Sequence, residues 1–181
     1  MRLALLSLGI GLIAISGGCN SGSDTANASS GGSSTGWKEF APEGEHFSIK
    51  MPGDPKPLSG DMSDTKGWTA DGGNLVYKIR YTPLADPSIE KDQGKVENQY
   101  DLTFDTIGIK DGLEGLQQTK SISFAGNIGR EIVGVTADKK FDRIRLCIVG
   151  GRLYRADLIG SNEAVDSGDA KVFFDSLKIV P

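Results

Sequence analysis

Between residues 116 and 159 four strand-length runs follow one another with only tight turns between them, and this pattern constrains the fold more than any other feature. The runs cover about 116–124, 129–137, 142–149 and 152–159. Ala125-Gly126-Asn127 and Gly150-Gly151 are hairpin turn signals. Turns this short leave no room for a crossover, so these neighbours pair antiparallel. In the third run Ile144, Leu146 and Ile148 face inward while Arg143 and Arg145 face out. In the fourth, Tyr154, Ala156 and Leu158 share one face. The second has Ile132 and Val133 side by side, so both its faces are partly covered.

The flanking segments supply the rest of a sandwich. Phe47, Ile49 and Met51 alternate with Ser48 and Lys50 until Pro52-Gly53-Asp54-Pro55 stops the strand. Residues 53–66 read as a polar loop. Residues 68–83 form a hairpin about Gly72-Gly73, with Leu75, Tyr77, Ile79 and Tyr81 on one face and Lys78 and Arg80 on the other. Asp86-Pro87 reads as N-cap and first helical residue. Val96, Tyr100, Phe104 and Ile107 then make one helical stripe over about 94–109. A second helix near 164–175 precedes a last strand at 177–180. The expected fold is α+β: a mainly antiparallel sheet with about two flanking helices.

None of this involves the first 36 residues. Met1-Arg2 gives a short positive start, and Leu3–Ile15 is an almost unbroken apolar run of 13 residues. A membrane span needs roughly 18, so the run fits the core of a signal peptide. Ser16-Gly17-Gly18 are small and Cys19 follows. The arrangement resembles the lipobox of bacterial lipoproteins, with Ser16 where Leu is usual. The resemblance implies cleavage after residue 18 and a diacylglyceryl thioether on Cys19. Residues 20–36 hold no aromatic, basic or large aliphatic side chain, so burial offers nothing to offset ordering entropy. They read as a Gly/Ser tether with a root-mean-square reach of roughly 20–25 Å. The expected organisation is 1–18 signal peptide, 19–36 lipidated Cys and tether, and 37–181 a single globular domain.

Phe47-Ser48-Ile49-Lys50-Met51-Pro52-Gly53-Asp54-Pro55 resembles the opening of small secreted proteins of planctomycete-type bacteria. Gly151-Arg152-Leu153-Tyr154 and Phe173-Phe174-Asp175-Ser176-Leu177 resemble their closing segments. The element order is similar to the PsbP-like sandwich, named for an extrinsic photosystem subunit. The resemblance implies a fold and a binding or accessory role; it does not imply a photosystem partner.

Candidates for chemistry are few. The 181 residues carry 20 Lys and Arg, 24 Asp and Glu, one His and two Cys. A net charge of −4 argues against a nucleic-acid binder, and this His and Cys count argues against most metal centres. His46 reads as a loop-edge residue rather than a general base. Cys147 lies on the strand face of Arg143 and Arg145, where a reactive thiol would need cations and exposure; it reads as a free structural thiol. Asp61, Asp64 and Asp71 lack calcium-loop spacing. Asp101 and Asp105 are one turn apart and read as a wet helix face. Gly9-Ile10-Gly11-Leu12-Ile13-Ala14 and Gly32-Ser33-Ser34-Thr35-Gly36 match nucleotide and hydrolase motifs without the strand–helix context these need. Arg143, Arg145, Arg152 and Arg155, joined by Arg130, make a basic cluster around one hairpin. With Trp68 they form the candidate binding surface, unless they serve to protect a sheet face from aggregation; Trp37 reads as a core plug.

The expectation is a lipid-anchored lipoprotein of the cell envelope, facing the periplasm or the cell surface. It has no cofactor and acts as a non-enzymatic binding module for a protein or small-ligand partner. The alternative is a hydrolase or redox enzyme whose pocket would join His46, Cys147 or the aspartates.

Overall fold

A computed structural model describes residues 36–59 and 64–180. The expected signal peptide, Cys19, the expected tether up to residue 35 and Asp61 lie outside the described residues.

The four-run segment is an antiparallel meander. It comprises β6 (Glu114–Phe124), β7 (Asn127–Val135), β8 (Phe141–Val149) and β9 (Arg152–Gly160). The hairpin of β4 (Lys66–Asp71) and β5 (Leu75–Pro83) joins its edge, β5 pairing antiparallel with β9. With β3 (Lys56–Pro57) the order is β3-β4-β5-β9-β8-β7-β6. A second sheet holds β1 (Trp37–Phe40), β2 (Phe47–Pro52) and β10 (Lys178–Ile179), with β2 central.

The large sheet is covered on both faces. On one lies α1 (Gln93–Lys110), whose Val96, Tyr100 and Ile107 pack on Ile132, Ile144, Leu146 and Ile148. On the other, Tyr77, Ile79, Cys147, Tyr154, Ala156 and Leu158 meet the inner face of β2 and two short helices, α2 (Asn162–Val165) and α3 (Gly168–Asp175). The α+β sandwich expected from the pattern is therefore the observed fold. Edge-on ring contacts stitch the second layer: Trp37 on Tyr77 at 5.5 Å, Phe40 on Trp68 at 5.6 Å and Tyr77 on Phe173 at 5.2 Å.

Several local expectations are corrected. Asp86 caps a 3-10 turn over Pro87–Lys91, accepting a bond from the Ser88 N–H. Asp92 caps α1 itself, accepting from the N–H groups of Gly94 and Lys95. Two carboxylates six residues apart each offered a cap, and the later one precedes the apolar stripe. The helix near 164–175 is two helices, because Ser161 and Ser167 each cap a separate start. The loop at 53–66 contains β3. Trp37 packs against the core as expected, but it does so from a strand, β1, that the local pattern does not predict. Arg143 and Arg145 do not point into solvent: their strand is interior and its second face is covered too. Their stems lie over that layer, and Arg145 stacks on the Phe174 ring at 4.5 Å.

Backbone proximity fixes one glycine. A Cβ on Gly129 would sit 2.2 Å from the Leu146 carbonyl oxygen, so only hydrogen fits between β7 and β8 there.

Candidate functional site

Where α1 crosses β5 and β9 the two layers do not meet tightly. Strand alternation sends Arg80 from β5 and Arg155 and Asp157 from β9 toward the helix, since Arg80 and Arg155 are register partners. Long polar side chains there hold the helix off the sheet, and a cleft of about 330 Å³ remains. Its floor is Arg80, Arg155 and Leu153, and its helical wall includes Leu102, Thr103, Thr106 and Ile107. Lys110 and Asp111 stand at the end of α1. Leu102 is 62% exposed at the lip. The walls are more apolar than polar, and the volume lies within the range of small-ligand sites.

A buried carboxylate organises the floor. Asp157 is fully buried. Its Oδ1 accepts from Arg155 Nε at 2.7 Å and also meets Nη2, and its Oδ2 lies 3.5 Å from Arg80 Nε. Arg155 Nη2 reaches Asp111 Oδ2 at 2.6 Å on the outer side. Burial alone would lower the affinity of Arg155 for its proton, but Asp157 and Asp111 outweigh it and hold the guanidinium charged. Two guanidinium groups, each engaged by a carboxylate, thus line an apolar-walled opening.

Next to Asp157, on β8, sits Asp142, 3% exposed. Its Oδ1 has no hydrogen-bond partner among the described residues. Burial, and then the nearby Asp157 charge, push its carboxyl up from 3.8 to about 8. Unfolded, the group loses its proton near its ordinary value; folded, it keeps the proton until about pH 8. Between these limits the unfolded chain binds fewer protons, so this group makes stability fall as pH rises from about 4 to 8. Asp142→Asn fixes the uncharged form and is expected to flatten that decline. Urea unfolding of both proteins at pH 5 and pH 8 measures it; an unchanged slope contradicts the assignment.

The sequence-predicted residues are dispersed. Arg143, Arg145 and Arg152 share one sheet face and Arg155 lies on the other, by strand parity. Arg143 pairs with Asp166, and Arg145 with Glu131 at 2.8 Å. Arg152 lies four residues along β9 from the register partner of Arg145, over the Tyr81 ring at 4.5 Å. Arg130, 1% exposed, pairs with Glu97 on the α1 face. Trp68 packs against Phe40 and Phe47 in the second layer. Of the candidate binding surface, only Arg155 lines the cleft.

The chemistry candidates do not converge either. Cys147 is fully buried and burial pushes its thiol up to about 12. His46 borders a small hollow with Val149, Arg152 and Tyr154. The neighbouring Glu45 accepts from Lys66 Nζ at 2.7 Å and from the Tyr81 hydroxyl. Burial opposes ionisation of Glu45, yet those bonds prevail and hold its carboxyl below the usual range. Asp64 precedes β4 and Asp71 ends it. Asp101 lies 4.0 Å from Arg130, and Asp105 is exposed on α1. Among the described residues no group of three or more His, Cys, Asp or Glu is placed to hold a metal ion. No helix among them is long and apolar enough to cross a membrane.

Sequence reasoning missed Arg80, Asp157 and Asp142. Parity signals Arg80 and Asp157, charged residues at alternate positions of β5 and β9 opposite the apolar set of those strands; Asp142 shares its face of β8 with Ile144 and Ile148 and carries no such signal.

No family model matches the chain, and no curated protein matches it in sequence. Solved structures do. The chain is similar to cyanobacterial PsbP from Synechocystis sp. PCC 6803, with a TM-score of 0.54 and 9% identity over 80% of this chain and 93% of that one. It also matches LpqN of Mycobacterium tuberculosis, described as involved in cell envelope biogenesis, with a TM-score of 0.37 and 16% identity over 75% and 83%. The likeness to cyanobacterial PsbP shows a PsbP-like fold.

Proposed function

We propose that the chain is a membrane-tethered lipoprotein of the cell envelope whose folded domain is a non-enzymatic binding module, with its ligand site in the cleft beneath α1. The N-terminal features support the location: a signal-peptide pattern, a lipobox-like Cys19 and a tether without buriable side chains. The resemblance to small secreted proteins of planctomycete-type bacteria points the same way. One observation carries the binding role, namely the Arg80–Arg155 floor held by buried Asp157 under an apolar-walled opening. A charged network in that place is costly to bury and no better for stability than apolar residues of the same volume. Its use is therefore sought in what it presents to the cleft.

Filling the cleft tests the role. Thr103→Trp places an indole in the opening from a helix position where Thr is a poor helix former. Thermal unfolding of the full chain is compared with and without the small-molecule extract of its own envelope. A ligand at about a hundred times its dissociation constant adds about 2.7 kcal/mol, which is roughly 5–10 °C for a chain of this size. That rise is expected in the unaltered chain and not in T103W. No rise, or equal rises, contradict the reading.

A further inference from the structure

We infer that the ligand of the cleft carries a single straight aliphatic chain, and that this chain lies lengthwise against α1. This rests on the reading of the cleft as the ligand site and adds the chemistry of what enters it.

Three observations carry it. The first is shape. α1 lines the cleft from Gln99 to Lys110, three turns of helix or roughly 16 Å. A volume of about 330 Å³ spread along that length leaves a mean cross-section of about 20 Å². One extended chain fits such a slot and a fused ring system does not. The second is where the hydroxyls of the lining point. Thr103 donates its hydroxyl to the Gln99 carbonyl at 2.7 Å, and Thr106 donates to the Leu102 carbonyl at 2.7 Å. Each of these hydroxyl hydrogens is held by the helix's own backbone. Thr65 and Thr82, on the sheet side, bond to each other at 2.9 Å. What Thr103 and Thr106 offer a ligand is therefore chiefly methyl surface. Threonine is a poor helix former, and bonding back to the preceding turn is mildly unfavourable. Two such residues on the cleft side of α1 are explained by the surface they present. The third is the rest of the lining. Leu102, Ile107 and Leu153 are aliphatic, and no aromatic ring is among the described lining residues. Leu102 and Ile109 are both largely exposed and lie seven residues apart on one stripe of α1, so aliphatic surface continues past the lip. Asp157 and Asp111 already engage Arg155, so the chain is held by burial of apolar surface and not by charge.

The test uses residues 19–181 with Cys19→Ser, which keeps every described residue and carries no acyl chain of its own to compete. The probes are the uncharged alcohols 1-hexanol, 1-octanol and 1-decanol, with cyclooctanol as the ring of equal carbon number to 1-octanol. Titration calorimetry reads their affinities, and hydrogen exchange over residues 99–111 places them. Each pair of added methylenes is expected to tighten binding about fifteenfold, with exchange slowed over 99–111. Cyclooctanol is expected to bind at least tenfold more weakly than 1-octanol. Thr103→Trp is expected to abolish binding of all four. The double variant Thr103→Val with Thr106→Val keeps side-chain shape and similar helix propensity, and is expected to bind 1-octanol within about twofold of the unaltered protein. Affinity that does not rise with chain length, or a ring that binds as well as the chain, overturns aliphatic recognition. Loss of binding in the valine variant overturns the role given to the methyl surface, and binding that survives T103W places the alcohols outside the cleft and overturns the inference. If no alcohol binds while envelope extract still raises the unfolding temperature of the unaltered chain and not of T103W, this inference fails and the cleft remains the ligand site. If the extract has no effect either, both fail.

Discussion

Cys19→Ser is expected to abolish labelling by radioactive palmitate and to move most of the chain from the membrane fraction to the soluble fraction. The hydroxyl of Ser cannot take the thioether that a lipobox Cys receives. Each buried methylene of an acyl chain contributes about 0.8 kcal/mol, so one chain holds a protein marginally and two hold it stably. Without the lipid, a chain cleaved after residue 18 keeps no apolar run of the roughly 18 residues a span requires. Residues 20–36 hold no large apolar side chain that could serve as an anchor. Retention of C19S in the membrane fraction with unchanged palmitate labelling contradicts the anchor assignment. The same variant serves as a control for the folded domain, because the tether separates Cys19 from Trp37 in the sequence.

Asp157→Ala is expected to be the most damaging single substitution in the site. Asp157 is fully buried and meets both Arg155 and Arg80. Removing it leaves guanidinium charge beneath α1 without its inner partner, a defect that costs about 3–5 kcal/mol. Total stability of a domain is about 5–15 kcal/mol, so a large fall in the urea midpoint is expected. Replacing the pair together separates stability from function. A double variant, Asp157→Leu with Arg155→Met, fills similar volume without charge, and buried pairs replaced in this way often lose little stability. It is expected to be less destabilised than D157A, since only Arg80 then loses its contact with that carboxylate, and to lose ligand binding. A double variant that folds and still binds contradicts the role given to Arg155, and a mild D157A contradicts the account of the buried network.

Most of the fold was legible because it is written in local patterns. Period-two alternation through β5, β8 and β9, glycine turns at 72–73 and 150–151, and the Val96–Tyr100–Ile107 stripe each specify an element with little reference to the rest. What escaped depended on layers that meet only in three dimensions. Whether Arg143 and Arg145 face water depends on α2 and α3, which arrive later in the chain and cover that face. The strand at Trp37–Phe40 exists because β2 offers an edge. The site escaped for the same reason. Proximity in sequence grouped Arg143, Arg145, Arg152 and Arg155, but strand parity sends the last to the opposite face. It joins Arg80, about 75 residues earlier in the chain, with Asp157 and the end of α1. Buried carboxyl groups are the hardest feature to read from sequence, because Asp142 and Asp157 look like any solvated strand residue until the layer that covers them is placed.

The central claim is that the cleft beneath α1 holds a small ligand. Native mass spectrometry of the chain released from its own membranes tests it most directly, with wild type and Thr103→Trp prepared side by side. The account predicts a bound small-molecule mass on the wild type that is absent from T103W, with both proteins folded. The same adduct on both, or none on the wild type, would contradict it.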